Sequence, residues 1–292
     1  MGRVTFLDPK MDFIFKKLME DNVLLLDFLR SVLSQTEGEI VSVELTNPQT
    51  KKEFIKDKYS YLDVRVKTGD GRLINVEIQK KDEKNMTKRT LFHWSKMYGE
   101  EIVEGEDYRL LPKTICVNLL DFNYLDTEEG FHNVYRLLNT KSSQELREST
   151  IEIHFIELKK FDDFQDQSDN EALNAWVRFL NWPENSINVE NPTIKKAVKT
   201  LEILSGDKET ISLYKLRKDA LDEGKRLLNS KFSEGREQGR EEGLEQGREQ
   251  GREETTYQNI VNVLKFMSDE QIASSFNKSL DEVREIRRQH NA

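Results

Sequence analysis

The chain has 292 residues, of which 36% are hydrophobic and 34% charged. That balance is too polar for one compact globule of this length, so a modest core with additional solvated helices is expected. No apolar run reaches the roughly 18 residues needed to cross a bilayer, and the opening MGRVTFLDPKMDF lacks the apolar stretch of a secretory signal. A cytoplasmic location and no membrane partner are therefore expected. Cys116 is the only cysteine, which rules out an intrachain disulfide and a thiolate-rich zinc site. The net charge of −9 runs against a chain that depends on broad phosphate neutralisation. The acidity is uneven, however: Lys51, Lys52, Lys56, Lys58, Lys80, Lys81, Lys84, Lys88 and Arg89 cluster in one stretch, and local field matters more to a ligand than total charge.

In chain order, DFIFKKLMEDNVLLLDFLRSVL repeats apolar residues at helical spacing. Phe13, Leu18, Leu24, Leu25, Phe28, Leu29 and Val32 line one broad face over two short helices. Strand candidates follow in IVSVEL, in YLDVRV and in LINVEIQ. The last two are joined by Thr68-Gly69-Asp70-Gly71 and read as a hairpin. A helix is predicted over Met86 to Glu104, with Leu91, Trp94, Ser95, Tyr98 and Ile102 on one stripe. KTICVNLLDF is nearly continuous apolar sequence, as a strand buried on both faces requires, and places Cys116 in the core. TIEIHFIEL is a fifth strand candidate. The order is α/β in class.

From Phe161 the sequence turns helical and polar. Asn170 to Leu180, Pro192 to Ser205 and Glu209 to about Asn229 are predicted helices, separated by Pro183, Pro192 and Gly206. Trp176, Phe179, Leu180 and Trp182 are positioned to cap the core. Glycine then recurs at 235, 239, 243, 247 and 251. Each costs about 1 kcal/mol in a helix relative to Ala, partly offset by Glu–Arg neighbours. This run reads either as a solvated, marginally helical linker or as a dimerisation helix. In the tail, Ser268 and Ser279 precede acidic first turns and read as N-caps of a helical pair suited to packing or oligomerisation.

The chemistry concentrates in the hairpin. Alternation puts Tyr61, Asp63 and Arg65 on one face of the first strand, and Asn75, Glu77 and Gln79 on one face of the second. An acid from each of two adjacent strands can then project into one space. Paired carboxylates repel unless a cation joins them, and a hard divalent ion with oxygen ligands does so. The carbonyl of Ile78 is the candidate third ligand. His93 follows Arg89 by four residues and can share its helix face, while His132, His154 and His290 show no zinc-site spacing.

Asp63, Glu77 and Gln79 resemble the core motif of the PD-(D/E)XK nucleases. DPKMDFIFKKLM, with Asp12, Phe15 and Lys16, together with LDVRV, NVEIQ, KRTLFHWSKMY, GEDYRLLPKTICVNLLDF, NPTIKKAVKTLEILSGDKETISLYKLRKDALDEG and the glycine-punctuated EGREQGREEG, is similar in order to the recombination-promoting nuclease and transposase family of that superfamily. The resemblance implies a restriction-endonuclease-like core, with a mixed central sheet flanked by helices, followed by a helical region and a helical C-terminal tail. It also implies an Mg²⁺-dependent (or Mn²⁺-dependent) DNA endonuclease linked to recombination or mobile-element DNA. In that reading Asp63 and Glu77 hold the metal, Gln79 stands in the place of the motif lysine, and Asp12 is a supporting acid. Lys16 and Arg89 face the substrate phosphate. Leu62 replaces the motif proline, and Gln79, an amide, can neither carry positive charge nor act as a base. The alternative is a catalytically silent DNA-binding or self-associating scaffold related to transposases. The expected domains are a nuclease-like core (1–160), a helical extension (161–232), a period-four linker (233–254) and a C-terminal hairpin (255–292). DNA is the expected partner, and a homo-oligomer is expected to form through the helical C-terminal region.

Overall fold

A computed structural model describes residues 5–34, 38–46, 63–125, 130–147, 150–164 and 168–290. Tyr61, Leu62 and the lysines at 51, 52, 56 and 58 lie outside the described residues. The chain forms two compact units, residues 1–220 and 221–292.

The first unit is built on a six-stranded sheet. In sequence its strands are β1 (Val43–Leu45), β2 (Val64–Thr68), β3 (Leu73–Gln79), β4 (Thr114–Leu120), β5 (His132–Arg136) and β6 (Ile151–Glu157). The spatial order is β1-β2-β3-β4-β6-β5. The β3–β4 and β4–β6 pairs are parallel and the others antiparallel. The central strands β3, β4 and β6 are buried along their whole length, as expected where helices cover both faces.

Pleating sorts the two faces cleanly. Val64, Val66, Ile74, Val76, Ile78, Ile115, Val117, Leu119 and Ile156 join one large core with α1 (Asp12–Met19), α2 (Asn22–Leu33), α4 (Glu171–Asn181) and α5 (Pro192–Gly206). Phe28 and Trp176 meet edge to face within it at 5.5 Å between ring centres. Trp176 also donates its indole N–H to Asp27 at 2.7 Å, which satisfies the polar end of a buried ring. The opposite face carries a smaller core of Cys116, Leu120, Phe122, Ile151, Ile153 and Phe155, covered by α3 (Met86–Gly99) through Met86 and Trp94. The mixed sheet, the flanking helices and the helical C-terminal region are those expected from the sequence.

The hairpin turn needs Gly71, and Gly69 packs closely beside it. Gly71 has φ +90, a backbone region that L side chains rarely adopt. Gly69 donates its N–H to the Ser42 carbonyl at 3.0 Å, and a Cβ there would collide with the Ser42 hydroxyl.

Three sequence expectations need correction. The helix over 86–104 stops at Gly99, and its buried stripe is Met86, Thr90 and Met97, with Leu91 and Ser95 exposed. Thr90 turns inward because its hydroxyl donates to Asn118 Oδ1 at 3.0 Å. Strand β5 was not expected; it lies at the edge of the sheet opposite β1, and its burial is only partial. The helix from Glu209 does not end near Asn229: α6 runs unbroken from Lys208 to Val263, 56 residues. It passes through all five periodic glycines, and its surface is exposed on every side from residue 229 to 255. Within residues 235–254 the Glu–Arg pairs expected to support it do not close among the described residues, and Gln238 instead donates to Glu242 at 2.9 Å.

In the second unit Ile260, Leu264, Ile272 and Val283 form a small core with α7 (Asp269–Phe276) and α8 (Leu280–Gln289). Ser268 and Ser279 are N-caps, as expected, and both complete a capping box, with Gln271 and Glu282 respectively. Asn277 takes the left-handed conformation that ends α7. Arg287 fastens the unit, donating to Asp269 at 2.8 Å and to the carbonyls of Leu264 and Met267.

Candidate active site

The site begins with strand register. β2 and β3 pair antiparallel with Val64 opposite Val76 and Arg65 opposite Asn75. Asp63 immediately precedes β2, so the same register continued by one residue would set it against Glu77. Directly opposed residues on one face have Cβ atoms about 5 Å apart. Both side chains lie on the α3 side of the sheet, because Val64 and Val76 point into the other core. Cys116, across β3 on that face, registers both acids. Burial first, then the charges of Glu77 and Asp63, push its thiol up to about 12.

Glu77 is 2% exposed. Its Oε1 accepts from Arg89 Nε and from Gln79 Nε2, both at 2.6 Å. Asp63 accepts from Arg65 Nε at 3.1 Å, and Arg65 in turn reaches Glu100 at the end of α3. Each of the two carboxylates therefore accepts from an arginine. Asn75, two residues before Glu77 on the same face, is buried, and its Oδ1 has no hydrogen-bond partner among the described residues. That orphaned acceptor leaves capacity for a water or another donor beside the acids.

The structure thus brings Asp63, Glu77, Gln79 and Arg89 together. Ile78 follows Glu77 with its side chain in the opposite core. Asp12 is placed differently. It starts α1, in the helical layer on the other side of the sheet, and its carboxylate is held by Arg217 and by the N–H of Phe13. Lys16, on the same helix, is buried. Among the described residues no group of three or more His, Cys, Asp or Glu side chains is arranged to hold a metal ion. A cation at Asp63 and Glu77 would draw its remaining ligands from backbone, water and substrate, as magnesium commonly does. The donor chemistry fits such an ion: two hard carboxylates from adjacent strands, one of them almost fully buried.

The basic stretch near the site is partly neutralised. Lys80 pairs with Asp8, Lys84 with Asp82, and Lys10 with Asp121 at 2.8 Å. Burial alone would lower the pKa of Lys80, but Asp8, with Asp121 and Tyr214, holds it above the usual lysine value. Arg65 and Asn75 were visible in the sequence as members of the same alternating faces. Arg217 gave no such signal, being 205 residues from Asp12.

Residues 9–230 match the model of the family described as PD-(D/E)XK nuclease family transposase. The chain belongs to that family. No curated protein and no solved structure matches the chain. Membership gives these PD-(D/E)XK strands a nuclease-superfamily, transposase-related context in which DNA is the partner and divalent ions are the general cofactors. No helix among the described residues is long and apolar enough to cross a membrane. In the C-terminal unit of this PD-(D/E)XK family member, the first turn of α8 carries Asp281 and Glu282. The helix end that enters the major groove in helix-turn-helix proteins is therefore acidic here.

Proposed function

We propose that this chain is a metal-dependent endodeoxyribonuclease that hydrolyses phosphodiester bonds in recombination or mobile-element DNA. The observation that supports the reading is the β2–β3 pairing of Val64 with Val76 and Arg65 with Asn75, which, continued by one residue, would set Asp63 against Glu77 on one face of the sheet. In this reading the Asp63 and Glu77 carboxylates and the Ile78 carbonyl hold Mg²⁺ or Mn²⁺. A bound divalent ion supplies a more acidic water and positive charge for the phosphoryl oxygens. Gln79 is a positioning residue: its amide bonds to Glu77 Oε1 and orients the carboxylate. Arg89 neutralises Glu77 before loading and is then available to a phosphate oxygen, where a guanidinium forms charge-assisted hydrogen bonds. Asp12, locked to Arg217, acts on the fold of α1 rather than on the reaction.

Incubation of full-length protein with plasmid and Mg²⁺ or Mn²⁺ tests the proposal. Nicked or linear product that disappears in EDTA and in Asp63→Ala supports it. Equal cutting by the wild type and the variant sinks this assignment of the site. DNA retardation with no product at any metal concentration favours the silent-scaffold alternative. Two scissions, one per strand, require two sites. α6 is the proposed route to a dimer, checked by comparing the sedimentation of the full chain with a form ending near Ser230.

A further inference from the structure

Asp63 and Glu77 are each held by an arginine, and the two arginines are placed differently. Arg89 reaches Glu77 Oε1 from α3. Arg65 belongs to β2 itself. Its Nε donates to Asp63 at 3.1 Å, and its Nη1 donates to Glu100 at 3.4 Å. The Arg65–Asp63 pair is partly open to solvent, with side chains 26% and 19% exposed. Burial, then Glu77 and Asp63, raise the Cys116 thiol while Arg65 lowers it, so one buried sulfur senses all three charges.

Directly across the strand pair from Arg65 stands Asn75. It is 3% exposed, and its Oδ1 accepts from no donor among the described residues. Its neighbours on the same face explain why. On β4 lies Cys116, whose S–H is a weak donor. On β2 lies Arg65, whose Nε and Nη1 are turned to Asp63 and Glu100. A buried amide oxygen without a donor costs stability, so its retention beside two acids calls for a reason. Opposed residues have Cβ atoms about 5 Å apart, within the span of an arginine side chain.

Resting on the nuclease reading above, we propose that Arg65 is a built-in counter-ion that holds Asp63 until a divalent ion loads, and that Asn75 Oδ1 is the acceptor to which its guanidinium then turns. A guanidinium and a divalent cation compete for one carboxylate, and they repel each other at close range. Asn75 gives the displaced guanidinium a neutral acceptor on the facing strand, so the exchange satisfies the orphaned oxygen. The guanidinium also stays near the acids, where it can bond a phosphate oxygen. Divalent-ion supply thereby regulates the charge the site presents to DNA.

Titration of the full-length protein with Mn²⁺ alone tests the exchange without cutting. Free ion is read by electron paramagnetic resonance, and Asp63→Ala gives the baseline for ions bound elsewhere on the acidic chain. Arg65→Met is expected to tighten the site on the order of tenfold, because a competing cation is gone. Asn75→Leu, close in volume, is expected to weaken it about fivefold. Asn75→Leu added to Arg65→Met should change nothing further, since a double-mutant cycle isolates the pair. Melting temperatures check folding, and Asn75→Ala replaces Asn75→Leu if the larger side chain prevents it. Unchanged or weaker binding in Arg65→Met overturns the proposal. So does an equal loss from the Asn75 substitution in both backgrounds, since Asn75 would then serve the ion and not Arg65. Binding without this coupling sinks the exchange alone, whereas no binding above the Asp63→Ala baseline in any variant sinks the metal reading as well.

Discussion

Two buried glutamates, Glu77 and Glu152, occupy opposite faces of one sheet and have opposite electrostatic company. Glu152 on β6 is fully enclosed. It accepts from Lys113 at 3.1 Å, from Arg136 at 2.7 Å and from His154 at 2.7 Å. His154 continues to His132 on the edge strand at 2.9 Å. Three donors meet that carboxylate, and one of them, Arg136, also reaches Glu145 at 3.4 Å. Glu77 also has a cation, Arg89, but it faces Asp63 across the hairpin. A buried acid surrounded by donors closes a network, whereas a buried acid facing a second acid leaves negative charge to be neutralised. The first arrangement holds a fold together and the second recruits a cation.

Mutations can break this contrast. Asp63→Ala or Glu77→Gln should lower plasmid cutting on the order of a thousandfold or more, the several kcal/mol that a metal contributes to a charged transition state, with the melting temperature little changed. Glu152→Ala should do the reverse. It leaves Lys113, Arg136 and His154 without their acceptor, at a cost of about 3 kcal/mol read from denaturant unfolding, while cutting per folded molecule persists. If the two variants exchange behaviours, the assignment of roles is wrong.

A finer test uses pH. Burial, and next His154, pushes His132 down to about 3 from 6.5, with Glu152 acting the other way. Between those values the unfolded chain binds a proton that the folded chain refuses. Stability is therefore greatest above pH 6.5 and is lost on acidification toward 3, with a slope of about 1.4 kcal/mol per pH unit from this group. His132→Asn should remove that component of the slope; an unchanged profile in urea melts would show that His132 is not held neutral. A smaller signal comes from Cys116. With its thiol pushed up to about 12, it should resist alkylation at pH 8 in the native protein and react on unfolding.

The sheet was readable because burial imposes a period on sequence. YLDVRV and LINVEIQ could be placed on their faces residue by residue, ICVNLL read as a strand buried on both faces, and the two metal-site candidates followed from the pleat. The Glu152 network was not readable. Its members come from β4's approach, β5 and β6, and β5 is a short edge strand whose half-exposed HNVYR has little alternation. The pairing of Asp12 was hidden for a similar reason. Its partner Arg217 lies on a distant helix, so a carboxylate near the N-terminus looked available when the fold had already paired it. The stripe of α3 was misplaced because a threonine, bonded to Asn118, occupies an inward position where periodicity expects an apolar residue.

The glycine ladder of α6 has a consequence for how this helix opens. A Cβ added at 235, 239, 243, 247 or 251 would meet nothing within 4 Å. No steric demand keeps those positions bare, and each weakens the helix by about 1 kcal/mol against alanine. With no tertiary packing to compensate, this segment should unzip before any other stretch of the helix. Amide exchange and proteolytic nicking should concentrate there, and alanine at two or three of the five positions should suppress both.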